Sequence, residues 1–348
     1  MRAAVLRAGR FVEAEVPEPP APGPGQVVAE TLATGICGSD LSAVRHTDDF
    51  LAAWRDSGTK AFLFDPEQDL VMGHELCARV LSPGEWQGKV VVGLPWALDP
   101  SGTLRTIGYS THFPGGFGER VTLQEAALVP VPDHVPPRVA ALTEPLAVGF
   151  GNVARAAQAP GTGALVIGAG PIGLGATAAL AERGIAPLVV SEPSPRRRAL
   201  AARFGAHTVV DPAVRDPFDV WRAARESGQS LTVYECSGKP GMLNTILHRA
   251  PRSTRILLIG ACMTEDVFRP VVGICKDITV TMCMEYPPEE FARTLERIAD
   301  GRVDAAELIT AEVGFGEVGA AMETLTHPDD HVKVLVINSP SRGPLPAP

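Results

Sequence analysis

The sequence predicts an α/β protein made of two domains, an irregular β-rich domain and a doubly wound domain with a parallel sheet. Three observations favour this class. With 348 residues, the chain is too long for a single ordinary hydrophobic core. Roughly the first 150 residues carry short alternating runs separated by proline and glycine turns. After them, apolar strands alternate with helical patterns, which is the order that produces a parallel sheet.

The β-rich domain is expected to consist of short strands between frequent turns. Residues 27–33 alternate between apolar and other side chains, as in a strand with one buried face. Proline and glycine mark turns at 22–25 and 114–116. Residues 48–60 differ, because their large apolar side chains have the spacing of a short amphipathic helix.

The second domain is expected to begin with a buried strand at residues 164–167 and a helix at 172–183. The later strands are short apolar runs, and the later helices have helical periodicity. Its further strands are predicted at 187–190, 231–234, 255–259 and 278–282, with a further helix at 195–204; a helix at 288–301 and a closing strand at 333–337 follow it. Alternation of this kind is typical of a parallel sheet covered by helices on both faces.

Composition and charge narrow the function classes. A net charge of −9 argues against nucleic acid or an anionic membrane as the main partner. No secretory leader and no apolar run of 18 residues is visible, so we expect a cytoplasmic protein. Six scattered cysteines without a C-x-x-C pair do not form a disulfide framework, which fits a reducing compartment.

A glycine-rich turn, GAGPIG at residues 168–173, follows the first buried strand of the second domain. In dinucleotide-binding turns of this type, the first glycine permits the tight turn and the second lets the backbone approach the pyrophosphate. Gly168 and Gly170 fill these two roles, and Gly173 would allow close helix–strand packing. Pro171 and Ile172 open the helix whose N-terminal N–H groups would face the phosphates.

The residues after the second strand bear on the choice of cofactor. Glu192 lies 19 positions after Gly173, where an acidic residue is expected to accept hydrogen bonds from the ribose hydroxyls. A carboxylate there repels the 2′-phosphate of NADP. The arginine run 196–198, with Arg197 at its centre, could instead bind that phosphate or form a solvated helix face. We expect NAD(H) to be preferred over NADP(H).

Two short motifs in the first domain supply zinc-binding residue types. Cys37 lies within GICGSD at residues 35–40 and could bind zinc as a thiolate, and His74 could bind as neutral imidazole. Asp40 is placed to accept the other ring N–H of a zinc-bound histidine. Glu75 adjoins His74, and Glu144 forms a third acidic position just before the change of domain.

Taken together, these motifs resemble the zinc-dependent medium-chain alcohol and polyol dehydrogenases, a family of the medium-chain dehydrogenase/reductase superfamily. The resemblance covers nearly the whole chain. It implies a GroES-like catalytic domain and a Rossmann coenzyme domain, with Cys37, His74 and either Glu75 or Glu144 as zinc ligands. The matching motifs are GICGSD (35–40), GHE (73–75), GGFGERV (115–121), TEPLAV (143–148), GAGPIG (168–173), ECSG (235–238) and KVLVI (333–337).

The chain also departs from the family pattern. Ser42 stands where many members have a proton-relaying histidine, so the relay would run through Ser39 and the ribose, through water, or through a residue such as His46. The four clustered cysteines of a structural zinc are absent, so we expect one catalytic zinc per chain. The segment between Cys37 and His74 is longer than usual. Its aromatic side chains either wall the substrate pocket or pack the inserted helix.

The predicted function is hydride transfer between NAD(H) and an alcohol or ketone, with a secondary alcohol or polyol as substrate. Zinc would polarise the substrate oxygen, and Ser39 would accept the hydroxyl proton. A zinc-free NADPH-dependent quinone or enone reductase is one alternative, and the Cys37–His74 pair argues against it. A non-catalytic nucleotide-binding scaffold is another, and the intact set of predicted ligands argues against it.

The expected domain limits follow from these assignments. Residues 1–148, completed by 285–338, form the catalytic domain, 149–284 form the NAD-binding domain, and 339–348 form a flexible tail. The late strand at 278–282 is expected at the edge of the coenzyme sheet. Because an unpaired apolar edge invites pairing with a second copy, we expect a homodimer or a homotetramer.

Overall fold

A computed structural model describes residues 1–158, 161–284, 286–327 and 331–338 of the protein. The chain divides into two compact units, one of Met1–Glu144 with Leu295–Pro348 and one of Pro145–Thr294. Mixed β-sheet dominates the first unit, and a parallel sheet with helices forms the second, which confirms the predicted α/β class. The tail predicted at 339–348 lies outside the described residues.

The strands are short, and all are drawn from the described residues. They are β1 (Arg2–Arg7), β2 (Arg10–Glu15), β3 (Gln26–Gly35), β4 (Leu70–Val71), β5 (Glu75–Val80), β6 (Val90–Gly93), β7 (Trp96–Leu98), β8 (Leu104–Thr106), β9 (Arg120–Gln124), β10 (Leu128–Pro130), β11 (Gly163–Ile167), β12 (Leu188–Ser191), β13 (Thr208–Val210), β14 (Leu231–Glu235), β15 (Arg255–Leu258), β16 (Thr279–Met282), β17 (Ile309–Val313) and β18 (Lys333–Val336).

The helices lie mainly in the second unit and at its borders. They are α1 (Gly38–Arg45), α2 (Thr47–Asp56), α3 (Pro137–Ala140), α4 (Thr143–Ala156), α5 (Pro171–Glu182), α6 (Pro195–Arg203), α7 (Pro217–Ala224), α8 (Met242–Arg249), α9 (Pro270–Cys275), α10 (Pro288–Ala299) and α11 (Val318–Thr324). Among the described residues, none of these helices has the length and apolarity needed to cross a bilayer.

The central sheet of the first unit brings three distant segments together. Its strand order is β10-β6-β5-β3-β18-β17, with β9 also paired to β3. The antiparallel register of β3 and β5 sets Gly35 opposite Glu75, and the register of β3 and β18 sets Gly35 opposite Leu335. The end of β3 therefore lies between the start of β5 and the last residues of β18, and Ile36 N–H continues the contact with β18 by donating to the carbonyl of Val334.

The sheet of the second unit has the order β13-β12-β11-β14-β15-β16, and all its neighbouring strands are parallel. The order reverses at β11, which is the doubly wound arrangement predicted from the sequence. Apolar side chains on the strands pack against the helices; Leu165, Val189, Trp221, Val233 and Ile256 are all fully buried. β16 is an edge strand, as predicted.

Several elements differ from the sequence-based expectation for local reasons. The helix expected over 48–60 ends at Asp56, because Gly58 adopts a left-handed backbone conformation with φ +76°. The three-residue strand β13 is too short to give a periodic signal. Helix α7 was also not predicted, although Asp216 caps it by accepting hydrogen bonds from Phe218 N–H and Asp219 N–H.

The borders of the two units fall inside helices. One lies between residues 144 and 145 in α4 and the other between 294 and 295 in α10, compared with the expected 148 and 284. Since a continuous helix crosses each border, no turn or linker signal marks it in the sequence.

Candidate metal and dinucleotide sites

Three potential metal ligands lie together in the first unit. Cys37 Sγ, a ring nitrogen of His74 and a carboxylate oxygen of Glu75 are all within 4.8 Å of one another. His74 and Glu75 are buried, whereas Cys37 is half-buried. A thiolate, an imidazole and a carboxylate are the donor types that zinc takes in proteins. In the part of the chain that the structure describes, no other such group of three occurs.

The backbone places these side chains through two turns at strand ends. Cys37 follows β3 and precedes α1, and its N–H donates to Asp40 Oδ2 at 2.9 Å. His74 lies just before β5 and follows Gly73, whose φ is +98°. A Cβ atom at position 73 would lie 2.6 Å from the ring of Phe117, so a glycine is needed immediately before His74.

Asp40 lies where the sequence placed it, beside the imidazole. Its side chain is fully buried, and its Oδ1 is 3.4 Å from His74 Nδ1. The same oxygen accepts a hydrogen bond from the Tyr109 hydroxyl at 2.8 Å. Because Nδ1 faces Asp40, Nε2 is the ring nitrogen left to meet a metal ion.

A buried lysine that sequence reasoning did not select also belongs to this site. Lys333 Nζ, at the start of β18, lies 2.8 and 2.6 Å from the two carboxylate oxygens of Glu75. It also donates to the carbonyl of Ile36 at 2.8 Å. The sequence did hold a signal for it, because Lys333 is a charged residue at the start of the apolar strand KVLVI. A charged side chain in such a strand is buried only when it has a partner of opposite charge.

The charges of the site shift one another's pKa values. Burial opposes the charged form of Lys333, but Glu75, Cys37 and Glu144 outweigh it, and the pKa of Lys333 is raised. Burial also opposes protonation of His74, yet Asp40 and Cys37 raise its pKa well above the usual value. Burial and Glu75 raise the pKa of the Cys37 thiol. A metal ion that binds here must therefore displace protons.

Glu144 stands in the first turn of α4, outside the group formed by Cys37, His74 and Glu75. Burial of its carboxyl raises its pKa to about 7; His74 acts in the opposite direction, and Glu75 adds to the rise. The structure thus brings Cys37, His74 and Glu75 together and leaves Glu144 outside that group, where its carboxyl interacts electrostatically with His74 and Glu75.

The predicted proton acceptor lies next to a tyrosine. Ser39, on α1, is half-buried, and its Oγ is 2.9 Å from the Tyr109 hydroxyl oxygen. Ser42 donates a hydrogen bond to the carbonyl of Gly38, and His46 is exposed at the junction of α1 and α2. Tyr109 was not singled out in the sequence, because its 70-residue separation from Ser39 hides the contact.

The aromatic residues of the long segment before His74 pack around Tyr109. The Phe50 ring stacks on Tyr109 at 5.5 Å, and Phe62 approaches Tyr109 at 5.4 Å. Trp54 stacks on Phe62 at 4.3 Å, and Tyr109 lies 5.3 Å from His74. A continuous run of rings therefore extends from the imidazole into the inserted segment. Phe50 and Phe64 are buried, and Trp54 and Phe62 are half-buried.

The glycine turn of the second unit has the shape expected of a dinucleotide site. Gly168 follows β11 with φ +92°, and α5 begins at Pro171 and Ile172. A Cβ atom at Gly173 would lie 1.9 Å from the carbonyl oxygen of Gly168. At Gly170, an added Cβ would meet only one atom, Nη1 of Arg197 at 4.0 Å. The turn therefore has no room for a side chain at Gly173, where it packs tightly. It has open space at Gly170, where a pyrophosphate would approach the backbone.

Glu192 holds the end of β12 to this turn. Its carboxylate is buried and accepts hydrogen bonds from Ala169 N–H at 2.7 Å and Ser194 N–H at 2.9 Å. Each carboxylate oxygen keeps a further lone pair for a ribose hydroxyl. These two backbone contacts were not foreseen from the sequence.

The three arginines after Glu192 have different surroundings. Arg196 is exposed, whereas Arg198 forms an ion pair with Asp211 at 3.1 Å. Arg197 is the member of the run whose guanidinium lies against the glycine turn.

Replacing Lys333 with methionine should destabilise the protein by about 3–5 kcal/mol, because Glu75 would remain buried without its counter-charge. In the Lys333→Met background, Glu75→Gln should recover part of this loss, since it removes the unpaired charge. The free energy of unfolding of the metal-free protein in urea measures both effects. A loss below 1 kcal/mol for Lys333→Met, or no recovery in the double variant, would contradict the proposed charge balance.

Comparison with known proteins identifies the family of the chain. Residues 23–133 match the alcohol dehydrogenase GroES-like domain, and residues 171–300 match the zinc-binding dehydrogenase family. A Saccharomyces cerevisiae protein described as "Probable diacetyl reductase" is 31% identical over 92% of this chain and 85% of its own length. The L-galactonate-5-dehydrogenase of Escherichia coli is 29% identical over 88% of this chain and 89% of its own.

The fold also matches solved structures. The crystal structure of 2R,3R-butanediol dehydrogenase from Bacillus subtilis aligns with a TM-score of 0.78 at 24% identity and covers 97% of this chain and 99% of that one. The chain belongs to the zinc-dependent medium-chain dehydrogenase/reductase family, whose alcohol-dehydrogenase members use zinc and NAD(P) to transfer a hydride between an alcohol and a ketone.

Proposed function

We propose that this protein is a dehydrogenase for a secondary alcohol or polyol, and that Cys37, His74 and Glu75 hold its one catalytic zinc ion. The observation that carries the proposal is the grouping of three zinc-type donor atoms within 4.8 Å, at the ends of β3 and β5. A zinc-free quinone or enone reductase would have no use for this set. A scaffold without activity would not need the buried carboxylate of Asp40 beside His74.

The donor set fits zinc in chemistry as well as in spacing. One thiolate, one neutral imidazole and one carboxylate leave a fourth position for substrate or water, as in catalytic zinc sites. When bound, zinc polarises the substrate oxygen and lowers the pKa of the alcohol. The chain's own residues then have defined tasks: Asp40 orients His74, Lys333 offsets the charge of Glu75, and Ser39 accepts the hydrogen bond of the substrate hydroxyl.

The two glutamates have different roles in this proposal. Glu75 is the resting ligand, supported by its place in the group of three. Glu144 is assigned to the substrate side, where it would exchange with water or substrate; the electrostatic interaction of its carboxyl with His74 and Glu75 supports a place beside the group. In this proposal Glu75 has two partners, the metal ion and Lys333. The ammonium group of Lys333 contacts both carboxylate oxygens of Glu75.

The coenzyme site is proposed at the glycine turn, with NAD(H) preferred over NADP(H). Gly168, Gly170, Pro171, Ile172 and Gly173 would seat the pyrophosphate, supported by the open space at Gly170. When bound, NAD supplies the hydride acceptor for alcohol oxidation.

Cofactor choice rests on two residues near the turn. The buried carboxylate of Glu192 would bind the ribose hydroxyls and repel a 2′-phosphate. Arg197 would contribute from the side of the turn, against the pyrophosphate.

We further propose a homodimer, or a tetramer built from dimers, that forms through the edge of the parallel sheet. β16 is the edge strand, and its Val280 and Met282 are 38% and 72% exposed. In the preceding helix α9, Ile274 is 72% exposed and Val271 is 54% exposed. An apolar edge of this kind, paired with the same edge of a second copy, would bury both.

A cytoplasmic location stays a prediction. It is supported by six cysteines that are all unpaired in the structure.

Elemental analysis should find about one zinc ion per chain, because the described residues contain one thiolate–imidazole–carboxylate group. Cys37→Ala or His74→Ala should lose both zinc and alcohol oxidation but keep NADH binding, since the glycine turn lies in the other compact unit. Cys77→Ala is the matched control, because this buried cysteine of β5 is outside the group. Two zinc ions per chain, or full activity without zinc, would overturn the proposal.

The kcat/KM of the wild-type protein for NAD(H) should be roughly ten- to a hundredfold higher than that for NADP(H). The difference comes from the hydrogen bonds of Glu192 to the ribose hydroxyls and from its repulsion of a 2′-phosphate. Glu192→Ala should narrow or reverse this ratio. Glu192→Gln separates the two causes, because it keeps an oxygen acceptor and removes the charge. Faster wild-type turnover with NADPH at equal concentration would show that the arginines decide the preference.

Light scattering at micromolar concentration should give the mass of a dimer or tetramer. Met282→Lys should shift the protein toward the monomer, because it places a charge in the proposed apolar contact. Val214→Lys is the control, since Val214 is 76% exposed and lies between β13 and α7, away from β16. A wild-type monomer, or equal effects of the two variants, would count against edge pairing.

A further inference from the structure

Tyr109 joins two residues that the proposed function uses. Its ring is fully buried, and its hydroxyl oxygen lies 2.9 Å from Ser39 Oγ and 2.8 Å from Asp40 Oδ1. Each distance requires one hydrogen between the two oxygens. The phenol has one hydrogen to give, and a serine hydroxyl has one as well.

The surroundings of Asp40 decide where the phenol hydrogen goes. The Asp40 carboxylate accepts a hydrogen bond from the backbone N–H of Cys37 and faces Nδ1 of His74. When His74 binds a metal ion through Nε2, its Nδ1 carries the hydrogen and is also a donor. Asp40 therefore serves as an acceptor, and the Tyr109 hydroxyl donates to it. The phenol is oriented as a donor toward both Ser39 Oγ and Asp40 Oδ1, but it has a single hydrogen and the carboxylate has none to give. With that hydrogen held by Asp40, a hydrogen bond between Tyr109 and Ser39 requires the hydrogen on Ser39.

From this arrangement we propose that Tyr109 is a positioning residue that fixes the direction of the Ser39 hydroxyl. Because Ser39 donates to Tyr109, its Oγ presents only lone pairs to a third group. It is thereby held as an acceptor for the hydroxyl of an alcohol substrate, which is a donor. The inference rests on the proposed function, in which Ser39 meets the substrate hydroxyl.

The rings around Tyr109 keep the phenol in place. Phe50 and Phe62 contact it from the inserted segment, and its backbone N–H donates to the Thr106 carbonyl at 3.1 Å. A fully buried ring held on several sides cannot swing its hydroxyl away from Ser39. The long segment before His74 thus has a task in the site: it supports the residue that orients Ser39.

The first test is a double-mutant cycle in alcohol oxidation. Tyr109→Phe keeps the ring and removes the hydroxyl, and it should lower kcat/KM roughly tenfold or more. Ser39→Ala should lower it as well. In the Ser39→Ala background, Tyr109→Phe should change kcat/KM by less than about twofold, because Tyr109 acts through Ser39. Zinc content and NADH affinity should stay at the wild-type level in each variant.

Tyr234→Phe is the matched control. It removes a phenol that donates to Gln158 at 2.7 Å in the other compact unit, and it should leave kcat/KM unchanged. Equal losses from Tyr109→Phe in the wild-type and Ser39→Ala backgrounds would overturn the inference. So would unchanged activity of Tyr109→Phe, or loss of its zinc, which would mean that Tyr109 acts through His74.

A second test needs no substrate and separates this inference from the proposed function. The chain has three tyrosines, so NMR of tyrosine-labelled protein gives few phenol signals, and Tyr109→Phe assigns one of them. The Tyr109 phenol proton should be shifted downfield, slow to exchange and retained in Ser39→Ala. Its loss in Ser39→Ala would show that it is donated to Ser39 and would contradict the inference. Failure of the wild-type protein to oxidise any alcohol would instead contradict the proposed function.

Discussion

Charge balance around His74 is the constraint on which the rest of the site depends. Four side chains near His74 can carry a negative charge: Cys37, Asp40, Glu75 and Glu144. Asp40 and Glu75 are buried away from water. Lys333 supplies the buried positive charge, with both carboxylate oxygens of Glu75 within 2.8 Å. A metal ion would add the remaining positive charge. A buried group of this composition is stable only when its charges are paired, so the strand register that delivers Lys333 is also what permits the ligand set.

The orientation of the polar groups follows from a few buried contacts. Asp40 receives the Cys37 N–H and the Tyr109 hydroxyl and faces His74. In this way a single carboxylate fixes the start of α1, the imidazole and the phenol together. In the second unit, Glu192 ties the glycine turn to the end of β12. Both proposed sites therefore have a buried carboxylate that holds a turn in shape.

Features of the structure that depend on neighbouring residues could be predicted from the sequence, whereas contacts between distant residues could not. The glycine turn, the strands of the parallel sheet and the edge position of β16 were predictable, since each depends on neighbouring residues. The proposed ligands Cys37 and His74 could be predicted because each lies in a short motif of neighbouring residues. The contact of Lys333 with Glu75 spans 258 positions and is created by strand pairing through β3, which no local pattern encodes. The role of Tyr109 was hidden for the same reason.

X-ray absorption spectroscopy of the zinc-loaded protein tests the central claim most directly, because it reports the atoms around the metal. The account predicts one sulfur at about 2.3 Å, from Cys37, with the other neighbours nitrogen or oxygen at about 2.0–2.2 Å. In Cys37→Ala the sulfur should disappear. Several sulfurs around the zinc, or none in the wild-type protein, would contradict a catalytic site built on Cys37, His74 and Glu75.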